Sequence, residues 1–480
     1  MKARVPGGVW WSAGGAVGLL LAVSPRYGFH RDELYFLVAG RNLDWGFVDQ
    51  PPLTPAIARL SELVGGTSPV ALRVLPALAI GAVSLLAASM ARRLGGGRTA
   101  QTFAAFAGAW TGVALAFGHL LATATFDYLL WTVALWIAVR ILDGADRRWW
   151  VALGAVVGVG LQNKHLIVVL AASLLVGMLA TRRRTLLAAP WPWIGVAVAA
   201  AIVAPNLVWQ AANGFPQLEM TSALAERSAG PVAFAVEQVG LLSITLVVPA
   251  AVGAWRLFLD IRYAQWRPLA IAFLVAVLVF WVARGKSYYV APMYPLLFAA
   301  GAGWVEELSD RLRRTVQIGA AAGVAIGIVI ALPVLPPSQV STVDATGELS
   351  ETIGWESLVR QVREVSEAIP PERRADAVVL TVSYGEAAAL DVLGADEGIP
   401  PAVSGHNSYW LWGPPDRHGP VIGVGPVGDA LDLICDDVAR VGTVTNRWDV
   451  ENETNGYPLL LCSSPRRQLS EVWDDLRHYN

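Results

Sequence analysis

Long apolar runs separated by short polar breaks fill the chain up to residue 335, and beyond it the polarity becomes ordinary. A hydrocarbon core of about 30 Å takes about 20 mostly apolar residues per helix. That criterion predicts eleven spans, at about 8–24, 69–91, 100–118, 123–142, 149–162, 164–181, 189–209, 231–254, 268–284, 287–305 and 315–335, of which the fifth and sixth are short.

Arginine and lysine orient the spans, because positive charge is retained on the cytoplasmic side. With the N-terminus inside, the inner segments carry 17 such residues, in clusters such as Arg92-Arg93 and Arg182-Arg183-Arg184, and the outer segments up to 335 carry 9. An odd number of spans then puts the C-terminus outside. Trp10, Trp11, Trp149, Trp150, Trp191 and Trp193 fall at span ends, where an indole straddles the headgroup layer.

Two outer segments are long. Within 25–68, Leu53, Ile57, Leu60, Leu63 and Val64 share one helical face, with Arg59 and Glu62 off it, so a helix lying in the membrane interface is expected. Pro51-Pro52 would set its entry. Residues 336–480 alternate strand-like and helical stretches: Ala377–Val382 before a helix after Gly385, then Val421–Val424 before a helix over 429–440. The expected architecture is an all-α polytopic membrane domain, 1–335, followed by a soluble extracytoplasmic α/β domain, 336–480.

Composition agrees: 55% of the 480 residues are hydrophobic and 15% charged, and mean hydropathy is +0.48, against about 25% charged residues in soluble domains. The net charge of −2, with basic residues in scattered clusters, excludes a nucleic-acid partner. Met1-Lys2-Ala3-Arg4 ahead of Val9–Val23 has the look of a secretory signal, yet no small-residue cleavage site precedes Asp32-Glu33, so a retained first helix is expected. Both cysteines, Cys435 and Cys462, lie in the outer domain, where an oxidising compartment permits a disulfide; sequence leaves open whether they meet.

Several polar groups call for an account. Asp32 and Glu33 stand just outside the first span: either carboxylate would serve as a general base toward an acceptor hydroxyl, or the pair simply caps a helix N-terminus. Asp49 and Gln50 follow before Pro51. Asp127 heads an otherwise apolar helix, and an intramembrane carboxylate is a functional candidate by default, with helix capping as the plain alternative. Gln162-Asn163-Lys164-His165 forms an outer polar hairpin. Arg284-Gly285-Lys286-Ser287-Tyr288-Tyr289 brings two cations and two phenols to the same side, against the positive-inside tendency; they would clamp a lipid phosphate or act as snorkelling and belt residues. No Walker loop, dinucleotide fingerprint, zinc spacing or G-x-S-x-G elbow stands in a convincing context, which speaks against nucleotide-driven transport and serine hydrolysis.

In this order the motifs resemble the GT-C membrane glycosyltransferases, in particular the group of protein O-mannosyltransferases and lipid A aminoarabinose transferases. The resemblance covers about residues 8–305. Its carriers are Asp32-Glu33, Asp49-Gln50-Pro51-Pro52-Leu53, Phe126-Asp127, Asn163-Lys164 and Lys286-Ser287-Tyr288-Tyr289-Val290-Ala291-Pro292. It implies a transferase of the bacterial plasma membrane that moves one sugar, of the mannose or pentose class, from a polyprenyl-phosphate donor to an extracytoplasmic acceptor, with inversion. By resemblance Asp32 is the general base with Glu33 assisting, Asp49 and Asp127 frame the site and are candidates to hold a divalent cation, and Lys164, Arg284 and Lys286 neutralise the phosphate. Gln50, His165, Tyr288 and Tyr289 complete the expected substrate contacts. Where aminoarabinose transferases carry Glu-Lys-Pro-Pro this chain has Asp49-Gln50-Pro51-Pro52, one cation fewer. A glycolipid flippase using the same cations, or a non-catalytic glycan-binding scaffold, remains the rival reading.

Overall fold

The computed structural model describes residues 4–220, 230–344 and 346–479. Lys2 and Arg227, counted in the charge asymmetry, lie outside the described residues.

Each of the eleven expected segments is helical. Among the described residues five helices are long and apolar enough to cross a membrane: Pro69–Arg93, Thr123–Leu142, Pro190–Ala212, Ile261–Val282 and Asp310–Ala331. Two bent pairs raise the number to seven: Arg98–Trp110 with Gly112–His119 turns by 57°, and Pro231–Leu241 with Ile244–Leu259 by 91°. Gly7–Val23, Trp149–Leu161 and Ile167–Leu179 are apolar but shorter, and the tenth expected span divides into a 3-10 turn, Ser287–Met293, and a helix, Tyr294–Glu307. By length, then, fewer segments qualify than the eleven expected: three of the helices are shorter than 18 residues, and one run is divided by a break that hydropathy does not register. In the first bent pair the Thr111 hydroxyl caps Ala114 N–H at 3.2 Å; in the second Ser243 adopts φ +56°, and its hydroxyl accepts from Gly112 N–H at 2.9 Å, so one serine joins the two kinks.

Burial ranks the helices. In its most apolar window Thr123–Leu142 is 72% buried, whereas Asp310–Ala331 is 22% buried, so the former is central and the latter faces outward. Helices Ile244–Leu259 and Tyr294–Glu307 approach so closely at Gly253 that a Cβ there would fall 1.9 Å from the Leu297 carbonyl oxygen, the small-residue contact typical of helices packing without a hydrophobic driving force.

The helix expected in the first outer segment spans Leu53–Gly65. Its small residues, Thr54, Pro55, Ala58 and Ser61, face the protein, and Leu60, Leu63 and Val64 are exposed, as an interfacial helix requires.

The C-terminal region carries a five-stranded mixed sheet: β1 (Val378–Thr381), β2 (Ala402–Ser404), β3 (Val421–Val424), β4 (Ala439–Thr443) and β5 (Pro458–Cys462), in the order β2-β1-β3-β5-β4. β1 runs parallel to β2 and β3, with Val379 opposite Ala402 and Ile422; β5 runs antiparallel to β3 and β4. The buried central strand β1 is apolar up to its last residue, Thr381, as a strand covered on both faces should be. Helices Trp355–Glu367 and Tyr384–Leu393 cover one face and Leu431, Ile434, Leu469 and Val472 the other. The helix expected over 429–440 is confined to Gly428–Asp432. Its second half instead leads into β4, where Val441 and Thr443 favour a pleated edge beside β5 over another helical turn. Cys435 and Cys462 are joined, with Cα atoms 6.1 Å apart, tying the segment before β4 to the end of β5.

Candidate active site

The first half of the site is set by a helix start. In Arg31–Arg41 the His30 ring accepts from Asp32 N–H at 3.1 Å, and Glu33 reaches back to accept from His30 N–H at 2.9 Å, a reciprocal cap with histidine in the place of serine. Consecutive helical residues point about 100° apart, so Asp32 and Glu33 cannot share a face. Glu33 turns inward and is fully buried. Its oxygens accept from Arg73 Nε at 2.9 Å and Nη2 at 2.7 Å, and from Leu121 N–H at 3.0 Å. Arg73, 1% exposed, also donates to the Ser24 and Gly28 carbonyls. All four hydrogen bonds that Glu33 accepts are thus internal, and it does not join Asp32 at the cleft.

Asp32 turns the other way, with 37% of its side chain accessible. Its Oδ1 accepts from the Tyr384 hydroxyl of the C-terminal domain at 2.8 Å. One turn along, the Tyr35 hydroxyl donates to Asp49 Oδ1 at 2.8 Å. Burial pushes the Asp49 carboxyl up to about 7; the Tyr35 hydrogen bond opposes the rise and the negative charge of Asp32 adds to it.

The cationic half comes from two other places. Leu53 N–H donates to the Gln162 carbonyl at 2.8 Å, and Asn163, fully buried, accepts from Thr54 Oγ1 at 2.7 Å and donates to the Thr123 carbonyl at 2.8 Å. Asn163 thereby fastens the 162–165 hairpin both to the first outer segment and to the head of the helix bearing Asp127. Lys164 projects over the rings of Tyr289, 4.6 Å from its centroid, and Tyr288, at 5.4 Å. Lys286 lies 5.9 Å from the Tyr288 centroid, so two ammonium groups share one phenol. The charges of Asp32, Asp127 and Glu348 all act on that same phenol, and Lys164 is the charge nearest in effect to Asp127. Asp127, 3% exposed, leaves Oδ1 without a hydrogen-bond partner among the described residues.

Other expected residues stand apart. His165 turns from the cleft and meets Asn206 Oδ1 at 3.0 Å, while Asn206 in turn donates to the Trp45 carbonyl. Gln50 is buried, its amide nitrogen unpartnered among the described residues. Arg284 is exposed at φ +53° and forms no hydrogen bond or ion pair with a described residue. Among the described residues no three His, Cys, Asp or Glu side chains are placed to hold a metal ion. Asp49 accepts from the Tyr35 hydroxyl, and Lys164 is the charged group acting on Asp127.

One member went unread in the sequence. Glu348, in the connection to the C-terminal region, meets His30 Nε2 at 3.3 Å and keeps 62% of its side chain accessible. Partial desolvation opposes its charge, but the hydrogen bond with His30 and the charges of His30, Arg31 and Lys286 hold its carboxyl below the ordinary value. His30, itself buried, is raised: burial opposes this and is outweighed by Glu348 and Asp32. No local pattern marks Glu348; only the chain's return to the start of the helix Arg31–Arg41 makes it a neighbour. Tyr384, in contrast, sits in Ser383-Tyr384-Gly385-Glu386, a capping-box sequence whose bonds are present.

Residues 49–209 match the family model described as dolichyl-phosphate-mannose-protein mannosyltransferase. No curated protein matches the chain. ArnT from Cupriavidus metallidurans bound to undecaprenyl phosphate is 16% identical, with a TM-score of 0.65 over 94% of this chain and 97% of that one. Its apo form gives 0.62 at 15% identity, over 94% and 96%. The fold is that of the GT-C membrane glycosyltransferases. The arabinofuranosyltransferase AftD from Mycobacteria shares it at 15% identity and a TM-score of 0.53, over 95% of this chain but 40% of its own length. Within this fold Lys164 and Lys286 lie beside the Tyr288 phenol, on which the charges of Asp32 and Asp127 also act, while Asp49 is bonded to Tyr35 on the helix that carries Asp32.

Proposed function

We propose that the protein transfers one sugar, of the mannose or pentose class, from a polyprenyl-phosphate donor to an acceptor at the extracytoplasmic face of the membrane, with inversion. What supports the reading is that Asp32, with 37% of its side chain accessible, acts by its charge on the same phenol, Tyr288, that lies beside the ammonium groups of Lys164 and Lys286. A general base and a phosphate clamp need both signs of charge at one site. The undecaprenyl phosphate in the solved ArnT, which this chain resembles along its length, supports the lipid class of the donor.

In the proposed step Asp32 removes the proton from the acceptor hydroxyl as its oxygen attacks the anomeric carbon. The bond from that carbon to the phosphate oxygen breaks on the opposite side, and polyprenyl phosphate leaves with the electron pair. Lys164 and Lys286 neutralise the charge that grows on the leaving oxygen. The unpartnered Asp127 oxygen is positioned to accept a sugar hydroxyl, and Glu33 serves the step by holding the helix that presents Asp32.

Purified protein in detergent, given a panel of prenyl-phosphate sugars, should release prenyl phosphate with its cognate donor. Asp32→Asn, nearly isosteric, should abolish release while donor binding persists. Movement of labelled lipid between leaflets of reconstituted vesicles, with no released prenyl phosphate from any donor, would replace this reading with transport.

A further inference from the structure

The C-terminal domain is positioned to do more than cover the cleft. Its helix Tyr384–Leu393 begins at Ser383, whose hydroxyl accepts from Gly385 N–H at 3.2 Å while Glu386 accepts from Ser383 N–H at 3.1 Å. That cap fixes Tyr384 at the first helical position. The next residue allows the helix to approach: a Cβ on Gly385 would lie 3.2 Å from Arg31 Cβ, tighter than packed side chains usually come. The Tyr384 ring then lies between Tyr35, at a centroid distance of 4.7 Å, and His406, at 4.9 Å, and the His406 ring stacks on His478 at 4.7 Å. With its ring held on two sides, the hydroxyl donates to Asp32 Oδ1 at 2.8 Å. An ion pair between Arg31 and Glu453 clamps the same junction.

We propose that Tyr384 is a positioning residue for Asp32: its hydroxyl occupies one carboxylate oxygen and aims the other at the acceptor, so that the C-terminal domain is built into the catalytic centre. The inference rests on Asp32 being the base. A carboxylate left to rotate would divide its time between orientations, and one fixed hydrogen bond removes that freedom before the reaction begins. Oδ1 is committed to the phenol, which leaves Oδ2 as the proton acceptor. The other charged or titratable groups acting around Asp32 are Arg31, 3.8 Å away on its own helix, His30 at the cap, Asp49 from the loop after it, and Tyr288 from the cationic side. Of these, Arg31 and Asp49 also act on the Tyr384 hydroxyl.

The test compares wild type, Asp32→Asn, Tyr384→Phe and Gly385→Val, each as the full chain in detergent, by prenyl-phosphate release across pH. Tyr384→Phe keeps the ring packing and deletes one hydrogen bond to a charged group, so kcat should fall about tenfold with the donor KM unchanged. Because the lost bond favoured the charged carboxylate, the acid limb of kcat/KM should move up by about one pH unit. Gly385→Val, which spares the hydroxyl but pushes the helix away from Arg31, should shift the limb the same way. The limb is read within each variant, so a smaller folded fraction does not move it. Wild-type kcat and an unmoved limb in Tyr384→Phe would overturn the inference. No release from wild type with any donor would instead overturn the assignment of the reaction, and wild-type activity in Asp32→Asn would overturn Asp32 as the base.

Discussion

Replacing Glu33 by glutamine separates structure from chemistry at the Asp32-Glu33 pair. The carboxylate accepts four hydrogen bonds, two on each oxygen: Arg73 Nε and Leu121 N–H on Oε1, Arg73 Nη2 and His30 N–H on Oε2. An amide offers one oxygen and one NH2, so whichever way the new side chain turns, two of these donors face its NH2 and find no acceptor. The Arg73 guanidinium, 1% exposed, also loses its counter-charge in a place that water does not reach. Breaking a buried pair by removing one partner costs about 3–5 kcal/mol. The expected result for Glu33→Gln is a large fall in thermal stability in detergent, with the surviving folded fraction keeping the wild-type pH profile for prenyl-phosphate release. Arg73→Met should be comparably damaging alone, and Glu33→Leu combined with Arg73→Met should be less damaging than the two single effects added, because no charge is then left unpaired. A Glu33→Gln protein with wild-type melting behaviour and abolished turnover would refute this reasoning and return Glu33 to the reaction.

Two further groups give expected outcomes. Burial raises the Glu386 carboxyl to about 7 from an ordinary value of 4.5, so the native C-terminal domain prefers it protonated; stability is full below pH 4.5 and is lost as pH rises through about 7, by roughly 3 kcal/mol in all. Glu386→Gln, which can still accept from Ser383 N–H, should raise the melting temperature at pH 8 more than at pH 5, and an equal change at both pH values would contradict the assignment. Lys164→Gln and Lys286→Gln should each raise the donor KM about 10- to 100-fold through loss of a charge-assisted contact to phosphate, and unchanged KM values in donor titrations would remove these residues from the clamp.

Much of the membrane domain was legible as apolar length, because a lipid core imposes one requirement on every crossing segment and that requirement is local. All eleven runs are helical, yet hydropathy could not register the break at Ser243, which depends on one backbone angle and a hydroxyl bound to Gly112 in another segment. The alternation of the C-terminal region was legible too, except where β4 replaced a helix, since a strand edge is decided by the partner β5 that lies beside it. The site divides in the same way. Asp32, Asp127, Lys164 and Lys286 could be singled out because a charge at the edge of an apolar run is conspicuous anywhere. That Glu33 belongs to Arg73 and Asp32 to Tyr384 could not be, because the partners lie 40 and 352 residues away in sequence. Sequence by itself determined which groups were costly to place near lipid; tertiary structure alone decided which became neighbours, because an ion pair or a hydrogen bond acts over a few ångströms of space, whatever length of chain separates its ends.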